Sequence, residues 1–399
     1  MEGSYRMRLA LFTDTYEPDV NGVARTLGRW ADYLRRQGAA VKVFAPDPAG
    51  GAASYAHFRS VERFASMPFF LYPECRLAFP NARSIRRALA SFRPTLVHVA
   101  TPFNLGLCGI HYARKYNVPL IASYHTHFDR YLPFYNLQWM VKMLGRYMAW
   151  FHQDCTRIFV PSRAAREELI QNGWASERLD VWSRGLDGKA FHPGGDREAW
   201  LSENGMDPGR FTVFYAGRLA PEKHVDIAID AFSSFRKRSC PDAQLVLAGD
   251  GPSFSQLRDR CEREELPVRF LGFTAGESLR RWYAAADVFL FPSSTETFGN
   301  VVLEAMACGT PVIAADAGGV TDTVRHMENG LRCEPGSSAA FREALEKLYR
   351  DAALRDRLAK KGIAYASRQS WDAIFADLHR KCERLQSISP YSQLLHTIK

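Results

Sequence analysis

No stretch of these 399 residues is long and apolar enough to cross a membrane as a helix. The richest candidate, Phe134–Phe151, is interrupted by Asn136, Gln138, Lys142, Gly145 and Arg146. Its aromatic density with two cations suits an interfacial helix or an acceptor groove, and equally a helix buried between domains. No basic-then-apolar leader precedes Leu9–Phe12, so a cytoplasmic protein is expected, peripheral on the inner face of the plasma membrane if it meets a bilayer. The eight cysteines (75, 108, 155, 240, 261, 308, 333 and 382) include no C-x-x-C pair. This argues against a disulfide framework and a zinc site, and no metal is expected. Repeats and low-complexity tracts are missing, as is the G-x-G-x-x-G fingerprint of dinucleotide enzymes. That last absence disfavours an oxidoreductase.

The charge that is present is uneven. Residues 1–190 hold 25 Lys and Arg against 15 Asp and Glu, and the remainder holds 27 against 28, so the whole net +9 lies in the first half. Such a half points to an anionic partner, nucleic acid or an acidic leaflet, unless it is a solvated face. No recognised nucleic-acid module accompanies it, so no nucleic-acid partner is expected.

Short apolar runs alternate with stretches of helical period. Leu9–Phe12, Val41–Phe44, Leu96–Val99, Pro119–Tyr124 and Ile158–Val160 read as strands, with helices over Ala24–Arg36 and Leu105–Tyr116. The grammar restarts with strands at Thr212–Ala216, Gln244–Ala248, Val268–Leu271, Val288–Phe291 and Pro311–Ala314, separated by helices such as Val225–Arg238, Phe254–Glu265 and Val301–Cys308. An α/β protein of two Rossmann-like domains facing each other across a cleft follows. The glycines and prolines of Gly185–Gly195 mark the change of domain, giving residues 1–188, 189–370 and a tail at 371–399. The helix Trp371–Leu385 in that tail has no strand after it and is expected to cross back onto the first domain.

Four segments at strand ends carry chemistry, where open α/β sheets bind ligands. In the first, Glu296-Thr297-Phe298-Gly299-Asn300, Gly299 allows close backbone approach and a helix start near Asn300 offers N–H groups to an anion, while Glu304 follows about one turn later. Ionised carboxylates accept hydrogen bonds and donate none, which suits sugar hydroxyls; an isolated Glu304 would read as an ordinary exposed helix residue. The second, Gly217–Lys223, places Arg218 and Lys223 to neutralise a diphosphate, although two loop cations alone would read as solvated. Gly22, in the third, opens the first helix. The fourth, Ser123–Arg130, holds His125 and His127, of which one is read as a polar contact to a sugar.

Taken in order, these residues resemble the family-4 retaining glycosyltransferases of the GT-B architecture over nearly the whole chain. The E-x7-E element is matched by Glu296 and Glu304, G-R-x4-K by Gly217 to Lys223, and the Gly-Asp-Gly-Pro run by residues 249–252, bringing in Asp250. The resemblance implies catalytic roles for His125, Arg218, Lys223 and Glu296. Glu296 would touch the transferred sugar, Glu304 the donor ribose, and Arg218 and Lys223 the diphosphate. Gly22, Gly217, Asp250, Phe298, Gly299 and Asn300 would also serve donor binding, with Leu271 in a base-lining segment at Arg269–Phe273. It implies a hexose, mannose or glucose, passing from a GDP- or UDP-sugar to a lipid-linked or saccharide acceptor, without metal or cofactor. A non-catalytic nucleotide-sugar-binding protein is the alternative. One departure stands out: His224 follows the lysine where many members have Gly.

Overall fold

The computed structural model describes residues 7–19, 21–48, 60–68, 76–125 and 132–387. Two separate parallel sheets organise it, as the alternating apolar runs require. The first takes β1 (Arg8–Phe12), β2 (Ala40–Pro46) and β3 (Val61–Phe64); β4 (Ser66–Pro68) and β5 (Arg76–Ala78) form a small antiparallel pair beside it. It continues through β6 (Leu96–Val99), β7 (Leu120–Ser123), β8 (Arg157–Val160) and β9 (Leu179–Val181), in the order β3-β2-β1-β6-β7-β8-β9. The second sheet comprises β10 (Thr212–Ala216), β11 (Gln244–Ala248), β12 (Val268–Gly272), β13 (Val288–Phe291), β14 (Val312–Ala315) and β15 (Leu331–Cys333), ordered β12-β11-β10-β13-β14-β15.

Each order reverses once, between β1 and β6 and between β10 and β13. At such a switch the connections leave in opposite directions, so a crevice opens at the carboxyl ends of the strands. Helices cover both faces. Asn21 caps the helix Gly22–Arg36 by accepting from the Ala24 amide at 2.9 Å, and Arg35 and Arg36 complement its C-terminal dipole.

The first sheet has an apolar core on each side, whereas one continuous core surrounds the second. Trp371–Ser387, the last described helix, belongs to the first domain's packing: Phe375, Leu378 and Cys382 are buried with Leu9, Trp30 and Trp182, and Phe375 lies 5.4 Å from the Trp30 ring. Burying a large apolar side chain is worth about 1.5–3 kcal/mol, enough for two such anchors to fix the crossing. The two chain crossings touch. Leu186 donates to the Gln369 carbonyl at 2.7 Å, and a Cβ on Gly185 would stand 2.6 Å from the Trp371 backbone.

Segment 134–151 is not one buried helix. It is made of short 3-10 turns at Leu132–Tyr135 and Gln138–Met140 followed by the helix Val141–His152. Met148, Phe151 and His152 face the core, but Trp139, Met143 and Trp150 are 72%, 53% and 49% exposed. Glycine and polar residues divide the stretch, so only one face is apolar enough to pack inward.

Candidate active site

The carboxyl ends of both sheets enclose a cavity of about 190 Å³. On the first-domain wall stand Thr15, Asn21 and Gly22 after β1, Thr101 after β6, Ser123 and His125 at the end of β7, and Arg184 after β9. Lys223 and the run Glu296–Asn300 form the facing wall. Residues 100 or more positions apart are thus brought together by the two switch points.

Lys223 and Glu296 are locked together. The Lys223 ammonium lies 2.6 Å from Glu296 Oε1, with side chains 14% and 17% exposed, and Ser293 donates to the same oxygen at 3.1 Å. Gly299 adopts φ 81°, a conformation that suits glycine, and so turns the chain into the helix Asn300–Ala307. No side chain caps the start of that helix, and the Asn300 amide oxygen is buried without a hydrogen-bond partner among the described residues. A Cβ on Gly22 would stand 3.7 Å from the Asn300 side chain, so the first domain's leading helix meets the second domain's Glu296–Asn300 segment here. Thr297 adds a direct tie by donating to the His125 carbonyl at 3.0 Å.

Further expected residues stand around this cavity and do not line it. Arg218 is 3.9 Å from the buried carboxylate of Glu222. Glu304 is half-buried and accepts from the Tyr283 hydroxyl at 3.2 Å. Desolvation pushes its carboxyl up to about 7, opposed by that hydrogen bond and by Arg25 and Arg29 of the facing domain. Asp250 is a turn-former: its carboxylate accepts from the Gly251 amide at 2.7 Å and its carbonyl from Leu219 at 2.9 Å. The flanking Gly249, at φ 140°, lies against Gly217, whose carbonyl a Cβ would approach to 1.8 Å. Leu271 lies partly buried on the edge strand β12. His127 falls outside the described residues.

His125 is held inside its wall. Nε2 is 2.9 Å from Ser123 Oγ, and Nδ1 is 2.7 Å from an Arg184 Nη. Burial, with Arg184 next in importance, lowers its pKa well below the usual histidine range. The imidazole is therefore neutral at physiological pH.

His224 explains how a departure from glycine is tolerated. It occupies the left-handed region at φ 52°, ψ 39°, and its Nε2 lies 3.1 Å from Ser294 Oγ while its ring packs edge-on to Phe134 at 5.3 Å. The turn that glycine would adopt freely is kept, and the ring contacts offset the strain. His224→Ala keeps the strain and loses the contacts, so it should be less stable than His224→Gly by about 1 kcal/mol in urea unfolding. Equal stabilities would contradict this.

Two features escaped the sequence reading. Gly318 and Gly319, after β14, press on the Glu296–Gly299 loop: a Cβ would come within 2.4 Å of the Glu296 carbonyl and 2.0 Å of the Thr297 carbonyl, respectively. Paired glycines at a strand's carboxyl end were the available signal. Arg184 was hidden because its significance arises from a partner 59 residues away.

Comparison with known proteins agrees with this geometry. Residues 196–365 match the family described as glycosyl transferases group 1, and residues 20–189 match glycosyltransferase family 4. The chain is 34% identical over 329 residues to a GDP-mannose-dependent alpha-mannosyltransferase of Mycobacterium tuberculosis, covering 82% of this chain and 83% of that protein. It is 30% identical over 316 residues to an alpha-monoglucosyldiacylglycerol synthase of Streptococcus pneumoniae, covering 77% and 71%. The fold is shared with Anabaena Alr3699/HepE, solved in complex with UDP, at a TM-score of 0.75 and 23% identity over 94% of this chain and 99% of that one.

Proposed function

This chain belongs to the family-4 glycosyltransferases of the GT-B architecture, and from that premise we propose that it transfers a hexose, mannose from GDP-mannose in the first instance, to a lipid-linked acceptor with retention of configuration. Glycosyl transfer is the family's activity; the donor, acceptor and stereochemistry are our reading. The mannosyl donor is supported by the 34% identity to a GDP-mannose-dependent enzyme, and the lipid acceptor by likeness to a diacylglycerol-modifying one.

The observation that carries the reading is the Lys223–Glu296 pair beside the uncapped helix start at Asn300. A diphosphate bound there meets the lysine, Arg218 nearby and the helix N–H groups, which together neutralise the leaving group without a metal ion. The acceptor hydroxyl attacks from the face the nucleotide leaves, and its proton passes to the departing phosphate oxygen. Glu296 then orients sugar hydroxyls, consistent with an oxygen already engaged by Lys223 and Ser293. Glu304 serves the ribose and Gly22 approaches the phosphates from the first domain. A thermal-shift screen of GDP- and UDP-sugars tests donor choice: a ligand at 100 times its Kd adds about 2.7 kcal/mol. A shift with neither nucleotide class would refute the reading.

The acceptor side has its own support. No helix among the described residues is long and apolar enough to cross a membrane. Trp139, Met143, Arg146 and Trp150 follow an i, i+4, i+7, i+11 spacing, with exposed Lys142 beside them, on the domain carrying the charge excess. We assign this face to an anionic bilayer. Binding to anionic vesicles should weaken with salt and fall at least tenfold in Trp139→Glu/Trp150→Glu; equal binding to neutral vesicles would count against it.

A further inference from the structure

Arg184 is a buried cation with no opposite charge paired to it among the described residues. It is 6% exposed, yet it lines the cavity, and no carboxylate pairs with it among the described residues. Its hydrogen bonds go to neutral groups, the Trp182 carbonyl at 3.0 Å and His125 Nδ1 at 2.7 Å, and its guanidinium lies 5.3 Å from the Trp182 ring centre. A guanidinium carries five N–H donors, so most of its donor capacity is left open by the described residues. Removing such a charge from water is unfavourable unless an anion answers it. Burial lowers its pKa to about 10, which still leaves it charged at neutral pH.

The neighbouring protons are ordered by this one side chain. Arginine only donates, so His125 Nδ1 must accept and the ring carries its proton on Nε2. That N–H donates to Ser123 Oγ, and the Ser123 hydroxyl donates in turn to His98 Nε2 at 2.9 Å. His98, fully buried, is left with its proton on Nδ1, which has no partner among the described residues. Both ring nitrogens of His125 are taken up by this chain along the cavity wall. His125 therefore has no ring nitrogen to offer a substrate in this arrangement, whereas Arg184 keeps N–H groups that the described residues do not take.

We infer that Arg184 is an oxyanion-binding residue of the donor pocket, taking an anionic oxygen of the substrate across the cleft from Lys223. The inference rests on reading the cavity as a nucleotide-sugar site. Two sources supply such an oxygen, the donor's diphosphate and an acidic substituent on the transferred sugar. Either supplies the opposite charge that the described residues do not. His125, Ser123 and His98 act through Arg184 as positioning residues, holding its fork at a fixed angle.

The test compares wild type, Arg184→Gln and Arg184→Lys, each first shown to be folded by circular dichroism and thermal melting. Calorimetry gives Kd for GDP and UDP, and initial rates give kcat/KM for neutral-hexose and hexuronate donors. With a diphosphate contact, Arg184→Gln weakens the better nucleotide at least tenfold and Arg184→Lys recovers part of the loss. With an acidic sugar, nucleotide Kd is unchanged, but preference for the hexuronate over the neutral donor falls at least tenfold. Both quantities within twofold of wild type would overturn the inference, as would failure of both variants to fold, since the guanidinium would then be a structural element. A wild type that binds neither nucleotide would instead remove the pocket reading, and this inference with it.

Discussion

Lys223→Ala should lower kcat at saturating donor by at least about tenfold, the consequence of removing about 2 to 4 kcal/mol of leaving-group stabilisation. The lysine has a second task, because its ammonium is 2.6 Å from Glu296 in a pair largely shielded from water. A loss of activity could then reflect a displaced glutamate. The double variant separates the two. If Lys223 merely holds Glu296, adding Lys223→Ala to Glu296→Gln costs nothing further. If it stabilises the departing diphosphate, the same addition costs at least another factor of ten. Steady-state kinetics on the four proteins decides the matter, with KM and kcat reported separately because a loss confined to KM would mean ground-state binding alone.

Gly319→Ala should weaken donor binding at least tenfold through a single methyl group. Gly319 has φ −66°, a conformation open to any residue, so backbone preference does not require glycine here. Space does. The added carbon would stand 2.0 Å from the Thr297 carbonyl oxygen and 2.6 Å from the Phe298 nitrogen, both backbone atoms that no rotamer change can move aside. The loop from Glu296 to Gly299 must shift, although the Gly319 amide normally ties it down by donating to the Glu296 carbonyl at 2.8 Å. Overpacking of this kind costs about 1–3 kcal/mol in stability. The larger effect is functional, since misplacing a binding group by about 1 Å can reduce rate by about a hundredfold. GDP affinity should fall at least tenfold. Gly145→Ala is the control, because a Cβ there meets nothing within 4 Å. It should leave affinity unchanged and raise stability by up to about 1 kcal/mol.

The strands read most accurately from sequence are those whose both faces are covered. Thr212–Ala216, Gln244–Ala248 and Val288–Phe291 match the expected bounds because a parallel strand buried on both faces reads as a near-continuous apolar run, broken here only by Thr212 and Gln244 at the strand starts. Val61–Phe64 is half charged, and Ser66–Pro68, Leu179–Val181 and Leu331–Cys333 have three residues each, so no apolar run marks them and they were not anticipated. The two-domain α/β architecture was legible for the same reason as the long strands. In the site, Lys223, Glu296, Gly299 and Asn300 could be found because loops after strands are where their chemistry is useful. Arg184 could not, since a lone arginine before Gly185 reveals neither its burial nor its contact with His125. The pressure of Gly318 and Gly319 on the donor loop is likewise a tertiary fact. His224 lies between these cases: the departure from glycine was visible, but the left-handed backbone that histidine retains there was not.

The central claim, a retaining transfer of mannose that depends on side-chain cations, is tested most directly by following product formation from GDP-α-mannose and a diacylglycerol-type acceptor in excess chelator, with the new linkage read by NMR. An α-linked mannoside is expected, formed at a rate the chelator does not diminish. A β-linked product, or transfer that stops on chelation and returns with added divalent cation, would contradict it.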